Sequence, residues 1–192
     1  MALMNNGQAC AAGTRLLVPN SRLVEVKQGL RDAIHAFAVG DPADPKTAVG
    51  PMVSKKQYER IQSYIRKGID EGAEVLVVGE GHPEGFEMGY FMKPTISVNV
   101  KNDMTIAQEE IFGPVLSDIA YDSEDEAIRI ANDYKYGLHA AVLGTDLLRA
   151  SRVASQIRAG GVVINNMADD PQAPRGGFKY SGTGREYGRY GI

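Results

Sequence analysis

Several features that mark particular protein classes are scarce or missing in this sequence. It has one cysteine and no tryptophan in 192 residues, which excludes an internal disulfide framework and fits a reducing compartment. No apolar run approaches the ~20 residues that span a bilayer, and the first residues lack the charged head and long apolar core of a signal peptide. A formal net charge of −3 provides no basic surface for nucleic acid or acidic lipid. We therefore expect a cytoplasmic protein without a nucleic-acid or membrane partner.

The composition that remains is that of an ordinary globular domain. Hydrophobic residues make up 43% and charged residues 23% of the chain, and the length predicts one domain with a substantial core. His35, His82 and His139 share no metal-ligand spacing, so we expect no metal site. The sequence contains neither a P-loop nor a G-x-G-x-x-G fingerprint.

Strand-like and helix-like segments alternate along the chain. Helices are predicted after the capping residues Ser21, Ser54, Ser123 and Asp146, and Ser54 and Ser123 open capping boxes of the S-x-x-Q and S-x-x-E form. Short β-type runs are predicted at residues 14–18, 74–78, 95–100, 115–120, 140–143 and 162–164. Strands that alternate with helices indicate an α/β fold with a largely parallel sheet.

The cysteine, Cys10, lies in the opening stretch MALMNNGQACAAGTR. Its small neighbours Ala9 and Ala11 leave the thiol approachable, and a short loop-to-helix segment can direct backbone N–H groups at developing negative charge. These are the requirements of a nucleophile that attacks a carbonyl carbon. A lone cysteine between alanines is, however, more often a small buried hydrophobe. On spacing alone, the inert thiol is the favoured interpretation.

A resemblance to a known family changes that balance. Residues 7–10 (GQAC) and 12–15 (AGTR) resemble the active-site signature of the aldehyde dehydrogenases. The stretch QEEIFGPV at 108–115, then Asn165, then GGFKYSGTGRE at 176–186 follow in the family's order. The resemblance covers essentially the whole chain. It implies a three-layer α/β catalytic domain, with a largely parallel sheet flanked by helices, that oxidises an aldehyde to a carboxylic acid with NAD or NADP.

Family members are more than twice this long, and their first half is a dinucleotide-binding domain. We therefore expect residues 1–192 to be a catalytic domain that lacks this N-terminal domain and the final oligomerisation strand. The whole enzyme is expected to be a homodimer or homotetramer. The alternative is a non-catalytic binding or assembly module that retains the fold.

The resemblance also assigns roles to individual residues. Cys10 would be the nucleophile that forms a thiohemiacetal and then a thioester, and its backbone N–H would be one oxyanion donor. Glu110 would accept hydrogen bonds from the nicotinamide ribose, and Phe112 would pack near the nicotinamide ring. Gln57 and Arg60 match helix positions that approach the same ribose, although a solvated helix face is an equally good interpretation. The family's general base and second oxyanion donor belong to the missing half, so the chain alone is expected to be inactive.

Two residues are expected to line the substrate channel. Arg175 stands where most family members have phenylalanine, which suggests a more polar or anionic aldehyde, or a side chain turned to solvent. Met167 lies just before it and is expected at the same channel mouth.

Residues 175–191 are also rich in glycine, arginine and tyrosine, as RNA-binding segments are. A single RGG in an acidic chain argues against that interpretation.

Overall fold

The computed structural model describes residues 2–166 and 170–191. The chain divides into two compact units, Met1–Asp122 and Ser123–Ile192.

A four-stranded sheet forms the centre of the first unit. Strand β4 pairs with β1 and β3 in parallel, and β2 adds to the far edge of β3 antiparallel, so the order is β1-β4-β3-β2. Strand β4 is the longest of the four and its first five residues are buried, as expected of a parallel strand covered on both faces. The strands are β1 (Arg15–Pro19), β2 (Glu74–Val77), β3 (Thr95–Val98) and β4 (Val115–Tyr121).

Helices cover both faces of this sheet. They are α1 (Leu23–Ile34), α2 (Lys55–Asp70) and the single turn α3 (Thr105–Gln108). Ile34 of α1 shares a buried cluster with Leu116 of β4, whereas the next residue of that strand, Ser117, hydrogen-bonds the carbonyl of Ile106 in α3. Because successive strand residues point to opposite faces, α1 and α3 lie on opposite sides of the sheet.

The second unit is built around a β-α-β crossover. Its helices are α4 (Glu124–Asn132) and α5 (Leu147–Ala154), and its strands are β5 (Tyr136–Gly137), β6 (His139–Val142), β7 (Gly161–Ile164) and β8 (Phe178–Lys179). Strands β6 and β7 pair in parallel along four residues, and α5 connects them. Strands β5 and β8 form a two-residue antiparallel pair.

The predicted fold class is confirmed, and so are the caps of three helices. The Ser54, Ser123 and Asp146 side chains each accept a hydrogen bond from the backbone N–H three residues on. The fourth cap, Ser21, was wrong, because a 3-10 turn over Asn20–Arg22 precedes α1 and the helix has no side-chain cap. Among the residues that the structure describes, no helix is long and apolar enough to cross a membrane.

Candidate active site

The Cys10 side chain is exposed and lies in a tight turn. The Ala12 N–H donates to the carbonyl of Ala9 at 3.0 Å to close this turn, and strand β1 follows three residues later. The segment therefore leads into a strand, as the β-type run at residues 14–18 predicted. Within the described residues neither the Cys10 thiol nor its backbone N–H has a hydrogen-bond partner. The thiol is thus accessible to a ligand, contrary to the interpretation of Cys10 as a buried hydrophobe.

The turn before Cys10 has an unusual backbone. Three successive residues are left-handed, namely Asn5 (φ 50°), Asn6 (φ 59°) and Gly7 (φ 67°). Asparagine and glycine are the residues that tolerate this region best. At Gly7 a β-carbon would lie 2.1 Å from the carbonyl oxygen of Gly113. Only glycine allows the segment that carries Cys10 to lie directly on the backbone of residues 113–114.

Two amide side chains attach the same segment to a second loop. The Asn6 Oδ1 atom accepts from the N–H of Gly50 at 2.9 Å, and its Nδ2 donates to the carbonyl of Pro51 at 3.1 Å. The Gln8 Oε1 atom accepts from the N–H of Val53 at 3.1 Å. The Asn6 amide is thereby fixed in one orientation, since one end must accept and the other must donate.

Side chains of helix α2 hold the loop that carries the EEIFGP motif. The Gln57 Nε2 atom donates to the carbonyls of Ile111 (3.0 Å) and Phe112 (2.7 Å), and Arg60 Nη2 donates to the carbonyl of Glu110 (2.7 Å). Gln57 does not complete the predicted capping box, because among the described residues its Oε1 accepts no hydrogen bond from the Ser54 N–H, and its Nε2 binds the loop instead. These bonds also offset the conformational free energy that the left-handed backbone of Phe112 costs, since Phe112 is a non-glycine residue at φ 60°.

Two side chains of this loop project outward. The Glu110 carboxylate is exposed and, among the described residues, makes no hydrogen bond or ion pair. The Phe112 ring is also exposed. A free carboxylate has acceptors for two neighbouring hydroxyls, and an exposed aromatic ring offers a flat apolar surface. The side chains of Gln57 and Arg60, by contrast, donate hydrogen bonds to the loop backbone. The helix face on which they lie is therefore not simply exposed to solvent.

Tyr64 is a member of this network that sequence reasoning missed. Its hydroxyl donates to Glu109 Oε2 at 2.6 Å and accepts from Arg60 Nη2 at 2.9 Å, and the guanidinium lies 4.7 Å from the ring centroid. Burial, followed by the hydrogen bond to Glu109, raises the pKa of Tyr64, so its hydroxyl stays a donor at neutral pH. The available signal was the helical spacing of residues 57, 60 and 64, which places them on one face.

The sequence model of the aldehyde dehydrogenase family matches residues 1–192. The chain belongs to the aldehyde dehydrogenase family. Aldehyde dehydrogenase C of Pseudomonas syringae, crystallised with NAD+ and octanal, superposes with a TM-score of 0.96 at 48% identity, over 99% of this chain and 39% of that one. An aldehyde dehydrogenase of Mycobacterium tuberculosis with NAD+ gives 0.96 at 49% identity over the same shares.

A Staphylococcus haemolyticus protein assigned to the aldehyde dehydrogenases by inference is 54% identical over 188 residues, which are 98% of this chain and 40% of that protein. The chain thus spans about two fifths of the length of the curated relatives it matches.

In the second unit of this aldehyde dehydrogenase chain, Arg175 is engaged with neighbouring side chains. It exchanges backbone hydrogen bonds with Glu186, its Nη1 lies 3.4 Å from the Glu186 carboxylate, and its guanidinium is 5.8 Å from the ring centroid of Tyr187. The other predicted channel residue, Met167, lies outside the described residues.

The side chains of two other cations in the glycine-rich segment, Lys179 and Arg185, bind backbone carbonyls. Lys179 Nζ donates to the carbonyls of Asn132 and Tyr134, both at 2.8 Å. Arg185 Nη1 donates to the carbonyl of Gly177 at 2.9 Å. These side chains hold a folded segment together instead of forming an open basic strip, which argues against the RNA-binding interpretation.

Proposed function

We propose that this chain is the nucleophile-bearing catalytic part of an enzyme that oxidises an aldehyde to a carboxylic acid with NAD or NADP. One observation carries the proposal. The exposed thiol of Cys10 lies in a segment that Gly7 fixes against the same loop that presents Glu110 and Phe112. One relative of the same fold, from Pseudomonas syringae, was crystallised with NAD+ and octanal, which supports a site for both the cofactor and an aldehyde.

The chemistry begins at Cys10. Its thiolate adds to the aldehyde carbon, a C–S bond forms, and the carbonyl electron pair moves to oxygen to give a thiohemiacetal oxyanion. The backbone N–H of Cys10, which has no other acceptor among the described residues, is available to stabilise that oxyanion. NAD or NADP, when bound, supplies the acceptor for the hydride that leaves this carbon. Water then cleaves the resulting thioester, which releases the acid and restores the thiol.

The residues present fit the nicotinamide half of the cofactor. The unpartnered Glu110 carboxylate would accept hydrogen bonds from the ribose hydroxyls, and the exposed Phe112 ring would lie against the nicotinamide. Gln57 and Arg60 would approach the same ribose from helix α2, since they already bind the backbone of the same loop.

We propose that the chain has no turnover alone. Hydrolysis of a thioester needs a base that activates water, and among the described residues Cys10 has no hydrogen-bonded base. By resemblance to the family, a general base and a second oxyanion donor would come from the part of such a protein that this chain does not match, which is more than half of the Staphylococcus relative.

The test is aldehyde-dependent NADH formation, measured on the chain alone and on a chimera. In the chimera, this chain replaces the matching 188 residues of the Staphylococcus haemolyticus relative. We expect no turnover by the chain alone and turnover by the chimera that Cys10→Ala abolishes. A chimera that oxidises aldehydes equally well after Cys10→Ala would refute the nucleophile. Turnover by the chain alone would refute the proposal that it lacks a general base. Light scattering on the chimera tests the expected homodimer or homotetramer.

We further propose that Arg175, together with Met167, lines the substrate channel and favours a polar or anionic aldehyde. The support is the fixed position of Arg175 against Glu186 and Tyr187. Arg175→Phe in the chimera should shift the kcat/KM ranking of an aldehyde panel towards apolar substrates, and an unchanged ranking would contradict this role.

A further inference from the structure

The underside of the loop that presents Glu110 is held by a continuous chain of hydrogen bonds. We propose that Tyr64 and Glu109 are positioning residues for the cofactor, which direct the Glu110 carboxylate outward. This inference rests on the proposed function. Tyr64 lies outside the motifs from which site roles were assigned, and Glu109 received no role although it belongs to the stretch 108–115. Neither residue is expected to contact the cofactor itself.

The chain of bonds links two adjacent glutamates through α2. Glu109 accepts from the Tyr64 hydroxyl, the same hydroxyl accepts from Arg60, and the same Arg60 nitrogen donates to the carbonyl of Glu110. The Glu109 side chain and the Glu110 carbonyl, which lie on either side of the 109–110 peptide bond, are therefore both held by hydrogen bonds.

The backbone conformation of Glu109 determines the direction in which the Glu110 side chain points. Glu109 is extended, with φ −121° and ψ 151°, and side chains of successive extended residues point to opposite sides. Because Tyr64 holds the Glu109 side chain against the helix, the Glu110 side chain must project away from it. The structure agrees, since Glu110 is exposed and its carboxylate makes no hydrogen bond or ion pair within the part of the chain that the structure describes.

The Tyr64 hydroxyl can be removed without changing the core. The Tyr64 ring is 9% exposed and packs as phenylalanine would, so Tyr64→Phe deletes only the oxygen between Arg60 and Glu109. In the chimera we expect this variant to raise KM for NAD+ about tenfold, the factor equivalent to about 1.4 kcal/mol and near the value of a hydrogen bond to a charged group. KM for the aldehyde and kcat at saturating cofactor should stay within about twofold of the parent.

Tyr58→Phe is the matched control. Tyr58 lies on the same helix but stacks on His82, with ring centroids 4.8 Å apart, and its variant should leave KM for NAD+ unchanged. An unchanged KM for NAD+ in Tyr64→Phe would overturn the proposal, and so would an equal rise in both KM values, which would indicate general loosening of the fold.

Glu109 provides a second test. Glu109→Gln keeps an acceptor for the Tyr64 hydroxyl and should stay within about threefold of the parent, whereas Glu109→Ala should match Tyr64→Phe. Since the two residues act through one hydrogen bond, the double variant should be no worse than the poorer single variant. Fully additive losses would show that they act separately and would overturn the proposal.

A measurement on the chain alone separates this inference from the proposed function. A glutamate-specific protease should cleave after residues 109 and 110 about tenfold faster in Tyr64→Phe than in Tyr58→Phe, because the loop opens more often. Equal cleavage rates would overturn the positioning role even if the chimera oxidises aldehydes. If the parent chimera does not reduce NAD+, the proposed function fails, and the cleavage rates still decide whether Tyr64 holds the loop.

Discussion

Replacing Gly7 by alanine tests whether the segment that carries Cys10 lies where the structure places it. The substitution imposes two separate costs. Alanine in the left-handed region costs about 1–2 kcal/mol, and Gly7 has φ 67°. The new β-carbon would also lie 2.1 Å from the carbonyl oxygen of Gly113, so one of the two backbones must move.

The backbone of Gly113 has little room to retreat. A β-carbon built on Gly113 would meet Ile61 Cδ1 at 2.3 Å, which shows how closely the loop already approaches helix α2. Forcing extra atoms into such a site costs about 1–3 kcal/mol. We therefore expect Gly7→Ala to lower the free energy of unfolding by about 3 kcal/mol, or about a hundredfold in the folding equilibrium.

The assay is urea unfolding of the chain followed by circular dichroism, with the m-value held as a check on two-state behaviour. Gly13→Ala is the matched control, because Gly13 lies equally far from Cys10 on its other side and has no atom within 4 Å of its β-carbon position. That control should lie within about 1 kcal/mol of the parent. A Gly7→Ala variant as stable as Gly13→Ala would refute the close approach of residues 7 and 113.

Two further predictions concern glycine packing and a buried acid. A β-carbon at Gly160 would lie 1.5 Å from the carbonyl oxygen of Gly176, so Gly160→Ala should unfold the second unit at lower urea, whereas its neighbour Gly161→Ala should not. Asp118 is 1% exposed, neither of its carboxylate oxygens has a partner among the described residues, and burial raises its pKa above the ordinary 3.8. Because the folded state then binds the proton more tightly, stability should fall as pH rises from about 4 towards the raised pKa. Asp118→Val should flatten urea midpoints measured against pH and raise the midpoint at pH 7, and an unchanged pH profile would contradict this account.

Local signals in the sequence predicted most of the elements correctly. Ser54, Ser123 and Asp146 cap their helices because the partner of each side chain is an N–H only three residues away. Strand positions followed from β-type apolar runs, since strands β3 and β4 are covered on both faces and nearly all their residues are buried. The family motifs also indicated that residues 7–10 and 110–113 belong to one site, and the contact of Gly7 with Gly113 supports that grouping.

Contacts between distant residues were not predictable in this way. Helix α3 is too short for a periodic pattern, and it begins at Thr105 because the Glu71 carboxylate, 34 residues earlier, accepts from both its N–H and its hydroxyl. Gln57 was assigned to a local capping box, but its side chain reaches a carbonyl 55 residues away. No spacing rule relates such partners, because only the folded backbone brings them together.

The left-handed turn before Cys10 also affects the chemical lifetime of the protein. An Asn-Gly pair such as Asn6–Gly7 deamidates when the glycine nitrogen attacks the asparagine amide carbon and ammonia leaves. In the native state both ends of that amide are bound, to Gly50 and Pro51, so the side chain is held away from this attack. In the unfolded chain the same amide is unprotected. An aspartate formed there has no N–H to give to Pro51, and refolding would set its charge against a carbonyl oxygen. Each unfolding event therefore exposes Asn6, which anchors the segment that carries Cys10, to irreversible damage.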